Sequence, residues 1–161
     1  DVWNHPLLSL YVPWKVLDPE TRRPQKAPRN EWNHIQAAEG ATALVRAGGK
    51  VQIGGHGERE GLASHWEMWM LTQGGMTPHE ALRSGTLHGA YYLGMDKDLG
   101  SIEKGKLADL MIVEGNPLQD IRQSENVTHT ILNGRVYEAD TLNEVGNHTK
   151  KRASLFFQNE R

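Results

Sequence analysis

The side chains of this chain whose types and spacing could do chemistry are concentrated between residues 50 and 71. His56 follows a short apolar run, residues 51–54, and sits among glycines; Glu58, Arg59 and Glu60 follow after Gly57. The run reads as a short buried strand, the glycines as a tight turn, and residues from about 62 to 73 as an amphipathic helix. In parallel α/β folds the reacting groups stand on the loops that follow strand carboxyl ends. A histidine just past such an end, where glycines let the backbone turn sharply, is placed to ligate a metal or move a proton. The plain alternative is an imidazole hydrogen-bonded within its own turn. Glu58 and Arg59 either line a substrate cleft or form a solvated charge pair. His65 and Glu67 lie two apart on the helix and so face different sides, which argues against a shared metal site there.

Several elements must position this stretch. Residues 33–47 repeat apolar side chains at three- and four-residue spacing (Ile35, Ala38, Ala41, Val45), and Gly48 and Gly49 stop the helix they predict. Helix, tight turn, strand, loop, helix is the order of a repeating β/α unit. In the helix after His56, Leu62, Trp66, Trp69 and Met70 form a broad apolar face suited to packing. Thr77, Pro78 and Glu80 spell a capping box at the start of the next helix, which bends near Gly85. From residue 99 the pattern changes to strands over 108–113 and 127–132, with Asn133 and Gly134 as a two-residue hairpin turn. Residues 1–33 are broken by Pro6, Pro13, Pro19, Pro24 and Pro28 and read as an excursion loop packed by Trp3, Trp14 and Trp32, or as a lid over a site. The chain thus divides into a loop-rich 1–33, β/α units over 34–95, a small β-domain over 99–139 and a tail, 140–161, docked or frayed.

Bulk properties narrow the class. With 161 residues the chain is long enough for one ordinary domain, and a hydrophobic content of 37% bounds the core it can build. A net charge of −2 argues against nucleic acid as a partner, and no apolar run approaches the roughly 18 residues of a membrane span. The absence of cysteine excludes disulfides and thiolate metal sites and leaves eight histidines as the soft ligands. The glycines around His56 lack the spacing and the Lys-Ser/Thr ending of a phosphate-binding loop. Asn126 and Asn147 open glycosylation-like triplets of a kind common by chance.

The run LGSIEKGKLADLMIVEGNPLQDI over residues 99–121, followed by 127–136 with its Asn133-Gly134-Arg135 turn, resembles the carboxyl end of the amidohydrolase superfamily. MTPHEALRSGTLHGAYYLG over 76–94 is similar to that family's last barrel helices, and the imidazolonepropionase and prolidase-like branch is the nearest in pattern. GHGEREGLASHWEMW over 55–69 resembles members with a β-propeller ahead of the barrel. The resemblance spans about residues 34–137. It implies the carboxyl-terminal part of an α/β (β/α)8 TIM-type barrel plus strands of a small β-sandwich, and metal-assisted hydrolysis of amide or cyclic amide C–N bonds, with zinc or another divalent metal. It implies a chain that begins near the seventh strand, so that most metal ligands lie on absent strands. The chain alone is then expected to be inactive, with the remainder of the barrel, or a second copy, as partner and a small-molecule or peptide-like substrate. His56 aligns where the family usually carries an aspartate that ligates metal and takes a proton from the attacking water. Imidazole can do either, though without negative charge. By this resemblance His56 is the catalytic and metal-ligating candidate, and Glu58, Arg59 and His65 are the substrate-side candidates. His79, His88 and Asp109 read as structural, the two histidines on helix surfaces. The other possibility is a non-catalytic assembly chain or degenerate paralogue.

Overall fold

A computed structural model describes residues 5–21, 27–56, 59 and 61–159. Among these residues six α-helices precede one antiparallel sheet: α1 (Pro6–Tyr11), α2 (Trp14–Thr21), α3 (Asn33–Arg46), α4 (Ala63–Gln73), α5 (Pro78–Ser84) and α6 (Leu87–Tyr92). Strands β1 (Leu110–Val113), β2 (Val127–Leu132), β3 (Arg135–Glu138) and β4 (Glu144–Val145) then lie side by side in chain order.

Pro6 and Pro13 start and separate two short helices in the amino-terminal region. Pro6 stands in the first turn of α1, where a missing N–H costs nothing, and the His5 ring accepts from the Leu8 amide at 3.4 Å. Pro13 divides α1 from α2. The expected loop packed by tryptophans is therefore corrected: Leu8 and Leu17 are buried against Leu62, with Val12 and Trp66 around them, while Trp14 and Trp32 are 63% and 42% exposed. Trp3 lies outside the described residues.

α3 and α4 form the body of the helical part, and their crossing is set by Gly74. A Cβ there would stand 2.2 Å from the Ala38 carbonyl carbon, so only glycine lets the two backbones meet. The Thr42 hydroxyl lies 2.8 Å from the carbonyls of both Ala38 and Gly74 and donates across the junction. The core beside it holds Met68, Leu71, Met76, Ala81 and Ile121, packed by Val45, Val51, Ile53 and Leu82. The buried face of α4 is therefore Met68 and Leu71; Trp66, Trp69 and Met70 are half-buried. The capping box of α5 is complete: the Thr77 hydroxyl accepts from the Glu80 amide, and the Glu80 carboxylate accepts from the Thr77 amide at 2.7 Å. α5 ends at Gly85 and α6 follows.

Residues 51–54 differ from expectation. They join no strand ladder among the described residues; a parallel strand needs neighbours to pair its amides and carbonyls, and the antiparallel sheet lies elsewhere in the chain. The segment is tied instead to α5 and α6. Ile53 N–H donates to the Ser84 carbonyl at 3.3 Å, and His88 Nδ1 donates to the Val51 carbonyl at 3.0 Å.

The sheet is a meander. The β2–β3 turn uses Asn133 at φ +48° and Gly134 at φ +78°, the left-handed pair that a two-residue hairpin demands. Asp109 accepts from the Asn133 amide at 2.7 Å, which gives it the structural role expected of it. The region read as a tail supplies β4, paired with β3, and its end is docked: Arg152 donates from its amide to Asn143 Oδ1 and from Nε to the Thr141 carbonyl, both at 3.0 Å.

Candidate functional site

The turn that carries His56 is built from both sides. Gly55 (φ +60°) and His56 (φ +45°) are consecutive left-handed residues, and the His56 amide folds back on the Gly54 carbonyl at 2.6 Å. At Gly55 a side chain would be strained by the backbone and would also meet Ser64 Oγ at 2.9 Å. His56 holds the left-handed conformation with a Cβ, at a cost of roughly 1–2 kcal/mol, so its surroundings must fix it.

They do so through α4. Glu67 Oε2 accepts from the amides of both Gly54 and Gly55, each at 2.8 Å. Glu67 is the one carboxylate on a helix otherwise lined with Trp66, Met68, Trp69 and Met70. Behind the turn stands buried His88. A carbonyl oxygen can only accept, so the bond to Val51 puts the proton of a neutral His88 on Nδ1. His88 is thus structural as expected, but it is 6% exposed rather than on a helix surface; His79 is the exposed one.

The expected site residues separate into two groups. His56 is exposed at the apex of the turn. Arg59 is half-buried on the loop into α4, and its carbonyl accepts the amides of Leu62 and Ala63, which starts that helix. Glu58 lies outside the described residues. His65 is turned to the other side of α4: its Nδ1 lies 3.1 Å from the Ser124 hydroxyl, which also accepts from Trp69 Nε1 at 3.1 Å. Burial holds the His65 pKa below the usual histidine value. The same ring lines an apolar cavity of about 800 Å³ with Tyr11, Leu62, Met111 and Phe156. His65 and Glu67 thus serve opposite faces, as their spacing requires.

Glu67, Ser84 and Ser124 carry the positioning work; from the sequence Glu67 is weighed only as a metal partner of His65, and the two serines are not singled out. The available signal was a lone carboxylate on an apolar helix, since α4 would otherwise present no charge toward the turn. Among the described residues no group of three or more His, Asp or Glu side chains gathers where it could hold a metal ion. His56 can offer one nitrogen to a metal, or accept and return a proton, at a fixed and open position.

The model of the amidohydrolase family matches residues 12–137. The ochratoxinase of Aspergillus niger is 28% identical over 118 residues, 71% of this chain and 24% of that protein. The imidazolonepropionase of Shouchella clausii is 34% identical over 87 residues, 51% of this chain and 19% of that protein. A solved structure of a Xaa-Pro dipeptidase with bound methionine in its active site superposes with a TM-score of 0.58 at 34% identity, over 65% of this chain and 25% of that one. The chain therefore spans about a quarter or less of the length of these proteins. With the family model matched over most of its residues, this chain belongs to the amidohydrolase family.

Proposed function

We propose that this chain is the carboxyl-terminal portion of a metal-dependent amidohydrolase that cleaves carbon–nitrogen bonds of an amide, cyclic amide or peptide-like substrate, with His56 as its working side chain. The observation that carries this reading is the turn at His56: it is exposed, fixed from two helices, and lies inside the span matched by the family. The relatives' names support the bond type, since an imidazolonepropionase and a Xaa-Pro dipeptidase act on a cyclic amide and a peptide respectively.

The described residues do not by themselves make a metal centre. Zinc or another divalent metal is assigned to donors supplied by the rest of the enzyme, with His56 as the donor or proton acceptor from this chain. As proton acceptor, His56 takes a proton from the attacking water and returns it to the leaving nitrogen, a role imidazole fills near neutral pH. Glu58 and Arg59, which lie between His56 and α4 in sequence, are assigned to the substrate side; His65, on the opposite face of α4 against Ser124, is not. The other barrel strands are assigned to the remainder of the barrel, upstream in sequence, or to self-association.

The test joins native mass spectrometry with turnover. The 18.1 kDa chain is expected in complex with a larger partner, carrying zinc and hydrolysing an Xaa-Pro dipeptide or an imidazolone substrate. H56A is expected to lower turnover by about 10²-fold or more with an unchanged circular dichroism spectrum. Near-normal turnover in H56A removes His56 from the mechanism, and a metal-free, inactive preparation at every stoichiometry overturns the hydrolase reading for this chain.

A further inference from the structure

We infer that Glu67 is the positioning residue of His56: its carboxylate holds the turn that presents the imidazole, without itself touching the substrate. The inference rests on His56 being the working residue of a hydrolase.

Three observations lead there. Two successive backbone amides, Gly54 and Gly55, converge on one oxygen, Glu67 Oε2, at 2.8 Å each. The residue that follows them is His56, a non-glycine residue at φ +45° that needs an outside restraint to stay there. The segment has no strand neighbour among the described residues, so the amides that a barrel strand would pair with another strand are satisfied by a side chain of the succeeding helix. The remaining ties of the segment, Ile53 to Ser84 and His88 to Val51, secure its start. Among the described residues, Glu67 secures its end, next to the imidazole.

Geometry also says what Glu67 contributes. The atom that matters is an acceptor oxygen at a set reach from α4, and bonds from N–H groups to a carboxylate are stronger than those to a neutral oxygen. Removing the acceptor frees the turn, lets His56 relax from the left-handed region and moves the imidazole. A misplacement of about 1 Å is enough to lower a rate by about 10²-fold.

The test uses E67M, which keeps the length and the apolar packing of α4 but has no acceptor oxygen, and E67Q, which keeps an acceptor without the charge. In the wild-type chain the amides of Gly54 and Gly55, both bonded to Glu67, are expected to be protected from hydrogen exchange. E67M is expected to speed their exchange about tenfold or more, with α3 and α4 amides unchanged, and E67Q to stay within about threefold of wild type. In the active preparation E67M lowers kcat by about 10- to 100-fold with KM within about twofold, and E67Q recovers most of kcat. Unchanged exchange at Gly54 and Gly55 in E67M overturns the inference. So does an E67Q variant as slow as E67M, because the charge itself would then be acting. Full turnover in H56A is a separate failure: it sinks the assignment of His56 while leaving the exchange result to decide whether Glu67 holds the turn.

Discussion

The Arg135 guanidinium clasps the Glu144 carboxylate in a two-point fork, Nε to Oε1 at 2.7 Å and Nη2 to Oε2 at 2.5 Å. The fork joins β3 to β4, whose ladder consists of Val136 opposite Val145 and Tyr137 opposite Glu144. Glu144 is 4% exposed, so its charge persists because the paired, planar guanidinium satisfies both oxygens. The hydrogen bond from Arg135 is the main reason the Glu144 pKa lies below the usual glutamate value; desolvation opposes it, and the charges of Arg135, His148 and Lys150 add to it.

A carboxylate whose folded pKa is depressed contributes stability that is fully present above its unfolded pKa, about 4.3, and is lost as pH falls through the folded value. Thermal unfolding followed from neutral pH to about pH 3 is therefore expected to show an acid-side fall in Tm. E144Q should start lower at neutral pH and fall less steeply. An E144Q profile parallel to wild type would show that other carboxylates, such as Glu80 and Glu103, whose pKa values are also lowered, account for the acid limb.

Two glycine substitutions test the α3–α4 junction. At Gly74 an added Cβ meets Ala38 backbone at 2.2 Å and the Glu39 nitrogen at 2.4 Å, so G74A should destabilise at the upper end of the ~1–3 kcal/mol typical of overpacking. At Gly40, in the interior of α3, nothing lies within 4 Å of an added Cβ, so G40A should stabilise by about 0.5–1 kcal/mol through helix propensity. Urea unfolding of both variants reads the contrast; equal effects would show that the junction is not as tight as its distances imply.

What was legible in the sequence was local. The spacing of Ile35, Ala38, Ala41 and Val45 placed a helix over 33–47, and α3 spans Asn33–Arg46. Thr77, Pro78 and Glu80 placed the capping box, and Asn133 with Gly134 placed the hairpin, because each depends on neighbours within a few residues. What was not legible depends on partners far along the chain. Residues 51–54 have the composition of a strand, but a ladder needs a neighbour that the described residues do not supply. β4 is two residues long and shows no alternation; it exists through Arg135, on the adjacent strand. At the candidate site, His56 and its turn could be read from glycine spacing. Glu67 as the clasp could not, since it reaches back 12 and 13 residues to Gly55 and Gly54.

The remaining prediction concerns His65, Ser124 and Trp69. Ser124 is fully buried, and its hydroxyl oxygen lies 3.1 Å from both Trp69 Nε1 and His65 Nδ1. An indole N–H can only donate, so the serine oxygen accepts from Trp69 and sends its own proton to His65 Nδ1; the neutral ring then carries its hydrogen on Nε2. Protonating His65 places a second hydrogen on Nδ1, facing the serine proton, in a site where burial already disfavours the charge. Because burial lowers the folded pKa, the unfolded chain takes up the proton first. The stability of the neutral arrangement is complete above about pH 6.5, falls as pH drops below it and levels off below the folded pKa. Denaturant unfolding between pH 8 and 5 should show this fall, and H65Q should flatten it. S124A should strand the Trp69 N–H, lower stability by about 1–3 kcal/mol and shift tryptophan emission at every pH in that range. If S124A unfolds like wild type and H65Q keeps the full pH dependence, the shared hydroxyl does not hold the sheet domain's 121–125 helical turn to α4, and packing of Ile121 alone must do so.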